Sequence, residues 1–327
     1  MKMRLWLLLS LGVFLLQGCA TPKIRLFTDS TVPYKEYTLE GTQSPKVLVI
    51  QANGQIDEGP SKGLLRDRPG MVPDIVSQLR LAEKDDDIGA VVVKINSPGG
   101  SVTASDVLYH EIKTFKEKTG KKVVAVFMGI AASGGYYIAL PADRIVAHPT
   151  TITGSVGVIF LQPKVEGLME KLGVGVDVSK SGDQKDMGSP FRASTEEEAR
   201  LLQDLTDQLG RRFIDLLIQH RHVTPEALDD IRTARIFLAD EARQLGLVDR
   251  IGYVVDAIQS AKTLAGLPDD AKVVVYRRGE FPDDTVYNAA GTLTGTAEPE
   301  LIHVELPGAI GELGSGFFYI WPPAAGL

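Results

Sequence analysis

The chain has one cysteine, Cys19, among 327 residues. A single thiol excludes an intramolecular disulfide, so packing has to hold the fold together. Basic residues are in the minority, 35 against 42 acidic, and the net charge is -7. No segment gathers lysine and arginine into the footprint that phosphate binding needs, which excludes nucleic acid as a partner. No apolar run reaches the roughly 20 residues that span a bilayer. The sequence has only five histidines, His110, His148, His220, His222 and His303, and no Gly-Lys-Ser/Thr follows its glycine clusters. The last absence argues against a nucleotide-phosphate loop.

What is present starts at the N-terminus. Lys2 and Arg4 precede an apolar run, Leu5 to Leu16, that ends in Leu16-Gln17-Gly18-Cys19. About a dozen apolar residues suit the core of an export signal. Cys19 stands where a bacterial lipobox places its acylated residue, so residues 1–18 are expected to be removed and Cys19 to carry the acyl chains that hold the protein on a membrane. Without residues 1–18 the basic count falls from 35 to 33 against 42 acidic residues, a charge of -9. Residues 19–44 are polar and read as a tether. Residues 45–282 read as the folded domain, and 283–327 as a Gly/Pro-rich tail with an aromatic end, Phe317-Phe318-Tyr319-Ile320-Trp321. An apolar cluster at the end of a polar stretch marks a contact site. The candidate partners are, in this order, a neighbouring subunit, the membrane surface and the protein's own substrate groove.

Inside the domain, Lys46–Ile50, Ala90–Ile95 and Val123–Met128 are dense in β-branched residues without polar alternation, as strands covered on both faces are. Between them, Ile75, Val76, Leu79 and Ala82, then Val107, Leu108, Ile112 and Phe115, recur at helical spacing. Alternating strands and helices predict a layered α/β fold with parallel strands and crossover helices. Ligands in such folds gather at the carboxyl ends of strands, where the loops Ser97–Ser101 and Ile130–Gly135 fall. Further on, Ser194-Thr195-Glu196-Glu197 reads as a capping box before a helix whose stripe of Leu202, Leu205, Leu209, Phe213 and Leu216 is core or subunit contact.

Ala131-Ala132-Ser133-Gly134-Gly135 places a serine between a strand and a helix, with an amide after it that can donate to a developing oxyanion. Such a turn also serves phosphate binding or plain chain reversal. Asn96-Ser97-Pro98-Gly99-Gly100 closes another strand and can bring a second amide to the same place, because glycine lets a substrate backbone approach. A nucleophilic serine needs a base. His148 is the one histidine that competes for that role, and lysine is the other option.

Residues 129–159, GIAASGGYYIALPADRIVAHPTTITGSVGVI, resemble the catalytic core of the signal peptide peptidase A family, and residues 179–187, SKSGDQKDM, resemble its lysine segment. The likeness runs from about Lys46 to Gly252, with Thr233-Ala234 where the family often has Asp-Gly. It implies a Clp protease/crotonase-like fold and a serine endopeptidase with no metal or cofactor. On it, Ser133 is the nucleophile, Lys185 the general base, Ser155 the hydroxyl that orients the lysine, and Gly100 and Gly134 the oxyanion amides. Lys185 has to be neutral to take a proton, which burial favours and a close carboxylate opposes. Asp183 and Asp186 are therefore expected to turn away.

The resemblance further implies a homo-oligomeric ring with serine and lysine meeting across a subunit boundary. It implies extended peptide substrates, above all signal-peptide remnants with small or apolar residues before the cut, while the export signal and Cys19 lead to the expectation of a bacterial cell-envelope protein with its catalytic domain outside the cytoplasm. Tyr136, Tyr137 and Ile159 are candidates for pocket lining. The competing readings are a catalytically silent membrane scaffold and a crotonase-like acyl-CoA enzyme. The anchor is directly testable: Cys19→Ser should move the protein from the membrane pellet to the soluble fraction, and retention in the pellet would exclude acylation as the attachment.

Overall fold

The computed structural model describes residues 32–59, 70–281, 283–288 and 316–325; the leader, Cys19 and His303 lie outside them. In chain order the elements are β1 (Lys35–Glu40), β2 (Gln43–Asn53), α1 (Met71–Lys84), β3 (Ile88–Ser97), β4 (Gly99–Ser101), α2 (Val102–Thr119) and β5 (Lys122–Ala132). There follow α3 (Gly134–Tyr137), β6 (Arg144–Ala147), β7 (Ile152–Gly154), β8 (Ile159–Leu161), α4 (Glu166–Leu172) and α5 (Glu196–His220). The rest are α6 (Pro225–Ile231), β9 (Ile236–Leu238), α7 (Ala239–Gln244), β10 (Arg250–Ile251), α8 (Val254–Ala265), β11 (Ala271–Arg277) and β12 (Gly316–Ile320). No helix among the described residues is long and apolar enough to cross a membrane.

The three apolar runs form the centre of a mostly parallel sheet of order β1-β11-β2-β3-β5-β6-β10. Successive strand side chains point to opposite faces, and both faces here are covered. Leu48, Ile50, Val91, Val93, Ala125 and Phe127 pack with Ile75 and Leu79 of α1 and Leu108 and Ile112 of α2. Val47, Val49, Val92, Val124 and Val126 face Val254, Ala257, Ile258 and Ala261 of α8. This two-sided burial is why the strands lack polar alternation. Helix α2 begins where the Ser101 hydroxyl accepts from the Ala104 amide at 3.0 Å and stops at Gly120, whose φ of 68° is the left-handed cap. The layered α/β prediction holds.

Two stretches differ from their sequence reading. The tether reading does not hold for Lys35–Glu40: β1 pairs antiparallel with β11, matching Tyr37 to Val275, and Tyr37 and Leu39 pack on the α8 side of the sheet. Lys46 fixes the same edge through Glu36 and Asp85, both at 2.8 Å. The tail also contributes to the body. Val286 is buried in the α8-side core, and buried Lys94 donates to its carbonyl at 2.8 Å. Burial pushes the Lys94 amine down to about 8. At the far end, β12 inserts antiparallel between β4 and β8, making a second sheet of three strands.

The predicted capping box shifts by one residue. Thr195 caps α5 by accepting from the Glu198 amide at 3.1 Å, and Glu198 returns to the Thr195 amide at 2.9 Å. Glu198 wins over Glu197 because its carboxylate also binds Arg192, which reaches on to Asp186 at 2.8 Å. The Arg192 hydrogen bonds, aided by the Thr195 amide, hold the Glu198 carboxyl down at about 2, and Arg192 with Lys180 keeps Asp186 far below the usual carboxylate range.

A depressed carboxylate stabilises the fold above its unfolded value of about 4.3 and loses that contribution as pH falls through its folded value. Urea midpoints should therefore drop between pH 4.5 and 2 in the native protein, and Arg192→Gln should lower the midpoint at pH 6 and flatten the acid dependence. Phe127→Ala, which empties a fully buried site, should cost about 3–5 kcal/mol in the same measurement.

Candidate active site

Strand β5 ends at Ala132 and the chain turns at once into α3, leaving Ser133 with φ 52° and ψ -115°. A side chain disfavours that left-handed backbone by about 1–3 kcal/mol, so the surroundings have to impose it. They do so from both sides. The Ser133 amide donates to the Gly154 carbonyl at 2.8 Å, continuing the β5–β7 pairing, and the Ser133 carbonyl accepts from the Tyr137 amide at 2.9 Å. The Ser133 hydroxyl is fully buried and has no hydrogen-bond partner among the described residues.

The Asn96–Gly100 loop closes β3 beside it. Gly99 has φ 103°, and a Cβ there would lie 2.8 Å from the Gly134 nitrogen, so the two glycine loops touch. The Ser97 hydroxyl accepts from the Gly99 amide at 3.1 Å. Gly100, pressed against the backbone of Ile56, pairs with Tyr319 of β12. The Gly134 amide, first in α3, has no acceptor among the described residues. An oxygen placed between Gly100 and Gly134 would meet two amides with no charge to neutralise them, the arrangement that stabilises a tetrahedral oxyanion.

Ser155 is adjacent, with φ 51°, its residue buried and its amide held by the Arg235 carbonyl at 2.8 Å. The Ser133–Gly154 hydrogen bond therefore brings Ser133 and Ser155 side by side. Lys185 is not among them. It is exposed in the stretch between α4 and α5, on an open depression of about 540 Å³ with Ser181, Gly182, Asp183, Gln184 and Glu197. Neither aspartate forms an ion pair with it among the described residues, and Asp186 is turned to Arg192 and Lys180. His148 bonds Thr150 at 2.9 Å and packs edge-on against Tyr253, while His220 bonds Tyr109 at 2.8 Å. Among the described residues no histidine reaches the Ser133 hydroxyl.

Leu209 and Phe213, which the sequence reading gave to core or subunit contact, also belong to this place. Tyr319 is fully buried, stacked on Tyr137 with centroids 4.9 Å apart and edge-on to Phe213 at 4.9 Å, and its hydroxyl donates to the Leu209 carbonyl at 2.9 Å. Tyr136 is core instead, donating to the Leu247 carbonyl at 2.8 Å. Ile159 pairs with Phe318 of β12. The aromatic end was visible in the sequence as a contact site, but its partner lies about 220 residues upstream in β4.

Comparison with known proteins agrees with this architecture. Residues 115–268 match Peptidase family S49 and residues 68–152 match Clp protease. A putative signal peptide peptidase SppA of Enterococcus faecium is 33% identical over 253 residues, covering 77% of this chain and 73% of that protein. A putative protease of Synechocystis sp. is 40% identical over 225 residues, 69% of this chain and 76% of that one. Protease 4 of Salmonella typhi is 36% identical over 240 residues, 72% of this chain but 38% of its own length. With a mostly parallel, Clp protease-like α/β sheet behind the site and relatives of this kind across most of its length, the chain belongs to peptidase family S49 and is a serine protease.

Proposed function

We propose that the protein is a lipid-anchored endopeptidase that cuts extended peptides, including the remnants of cleaved signal peptides, with Ser133 as nucleophile and Lys185 as general base. The observation that carries the reading is Ser133 itself: a buried hydroxyl on a left-handed strand-to-helix turn, without a partner among the described residues and next to a Gly134 amide that has no acceptor among them. Strain of this kind persists where geometry is held for chemistry. The Ser133 oxygen attacks the peptide carbonyl while Lys185 takes its proton. The Gly100 and Gly134 amides hold the oxyanion, and Lys185 returns the proton to the departing amine. Water then hydrolyses the acyl-serine by the same steps in reverse. No metal or cofactor enters this scheme.

Lys185 lies in an exposed stretch of its own chain, and a base for a buried serine needs to be dehydrated. A neighbouring subunit resolves both requirements. The exposed Val174, Val176 and Val178, just before the lysine segment, and Leu168 and Leu172 of α4 supply the apolar surface for such a contact. In a homo-oligomeric ring the lysine of one copy would serve the serine of the next, with Ser155 orienting the amine. Acylated Cys19 would hold the ring on a bacterial envelope membrane with the domain outside the cytoplasm. The names of the relatives, signal peptide peptidase among them, support the substrate class.

Casein digestion tests the assignment. Ser133→Ala and Lys185→Ala should each lower kcat/KM by at least about a thousandfold. Co-assembly of the two inactive variants should restore about a quarter of the native rate, because one random neighbour pair in four carries both intact groups. Recovery of nothing would place both groups in one chain. Full activity in either single variant would remove that residue from the mechanism, and inactivity of the native protein toward every peptide would favour the silent scaffold.

A further inference from the structure

Lys185 can take the Ser133 proton only while its amine is uncharged, and the charges beside it decide how readily it becomes so. The chain places acids close by. Asp186 follows Lys185, Asp183 stands two residues before it, and Glu197 of α5 lines the same open depression. Glu198, the next residue of α5, is buried. The cations set around this segment are Lys180, Arg192 and, from the stretch before α4, Lys164. Unmatched carboxylates around a lysine favour its charged form, so the way these groups pair with one another matters.

The pairing is specific. Arg192 donates from Nε to one Asp186 oxygen and from Nη2 to the other, both at 2.8 Å, while its Nη1 donates to Glu198 at 2.9 Å. A guanidinium fork can reach two acids at once, which an ammonium point charge does poorly. Lys180 adds a second cation on Asp186 at 2.7 Å. Two cations thus match two acids, and little water lies over the acids: the Asp186 side chain is 14% exposed and that of Glu198 2%. Screening between such covered groups is weak.

The same arginine also fixes backbone. Its Nη2 donates to the Asp186 carbonyl at 3.3 Å, in a turn where the Lys185 amide donates to the Gly182 carbonyl at 3.1 Å. Lys164 points its charge at main chain, donating to the Arg192 carbonyl at 3.0 Å. Asp183 and Glu197 remain exposed, where salt and water screen them. The covered acid next to the lysine in sequence, Asp186, is the one that carries two cations.

We propose that Arg192, together with Lys180, is a positioning residue for catalysis: it cancels the charge of Asp186 beside the general base and keeps that carboxylate turned away from the amine. The hydrogen bonds from Arg192, then those from Lys180, hold the Asp186 carboxyl far below the usual carboxylate range, so it is ionised at every working pH. A constant charge needs a constant partner. With Arg192 removed, a carboxylate one residue from Lys185 would hold the amine protonated. The proposal rests on Lys185 as the base. It is separable from the acid stability of the same pairs, which is lost below about pH 4.5, because the effect on the base is read where those carboxylates stay ionised.

The experiment measures kcat/KM on casein between pH 6 and 10 for the full chain and its variants, with folding checked by circular dichroism. Arg192→Gln should move the acid limb of the profile up by about one pH unit. That is about a tenfold loss below the limb, with recovery to within about threefold of native above it. Adding Asp186→Asn to Arg192→Gln should return the limb to its native place, although the clasp is then more broken than before. Lys180→Gln should move the limb in the same direction by about half as much.

A limb that stays in place in folded Arg192→Gln, or a loss equal at all pH values that Asp186→Asn does not repair, makes Arg192 a structural clasp and overturns the proposal. If Arg192→Gln does not fold, Lys180→Gln decides, since Lys180 is an exposed residue outside the helices, and an unmoved limb there is equally fatal. Lys185→Ala tells the two claims apart. Full activity in it would remove the base, and this role of Arg192 with it. Inactivity in it beside an unmoved limb in Arg192→Gln would leave the base standing and sink the charge match alone.

Discussion

The hydrogen bond from the Ser133 amide to the Gly154 carbonyl is the constraint on which the site depends. It extends the pairing of β5 with β7 by one residue past the point where β5 ends, and so compels a serine to take a backbone angle that its Cβ resists. Because β7 also pairs with β9, the cost of that turn is carried by the sheet and not by the loop alone. The same bond sets Ser155 next to Ser133. Release of β7 would relax the serine turn and free its amide.

How much of this could be read from the sequence follows from where each partner lies. β2, β3 and β5 were legible because each is buried on two faces and therefore apolar throughout. α1 and α2 were legible because their apolar residues recur at one helical face. β1 was missed although Tyr37 and Leu39 alternate, since the strand is short and otherwise polar and its partner β11 lies more than 230 residues downstream. The shift of the capping box from Glu197 to Glu198 came from Arg192, a tertiary partner that no local rule contains.

The candidate site divides in the same way. The two glycine loops were legible as backbone that has to be approached closely, and the structure brings both to Ser133. Lys185 was named by resemblance, and a single chain leaves it exposed and away from that cluster. Phe213 looked like one residue in an amphipathic stripe. Only the return of the chain end to β4 gives it Tyr319 as a neighbour.

Gly100 sits between two backbones, Ile56 on one side and Tyr319 on the other. An isolated bridge ties Ile56 to the small sheet through a residue without a side chain, and a Cβ would come within 2.0 Å of the Ile56 oxygen. One wall around Tyr319 is therefore made of main chain and offers mutation nothing to adjust. The opposite wall, from Tyr137 of α3 and Phe213 of α5, is made of side chains. Divergence at this contact has to be written into those two helices, while the spacing of the strands stays set by peptide geometry.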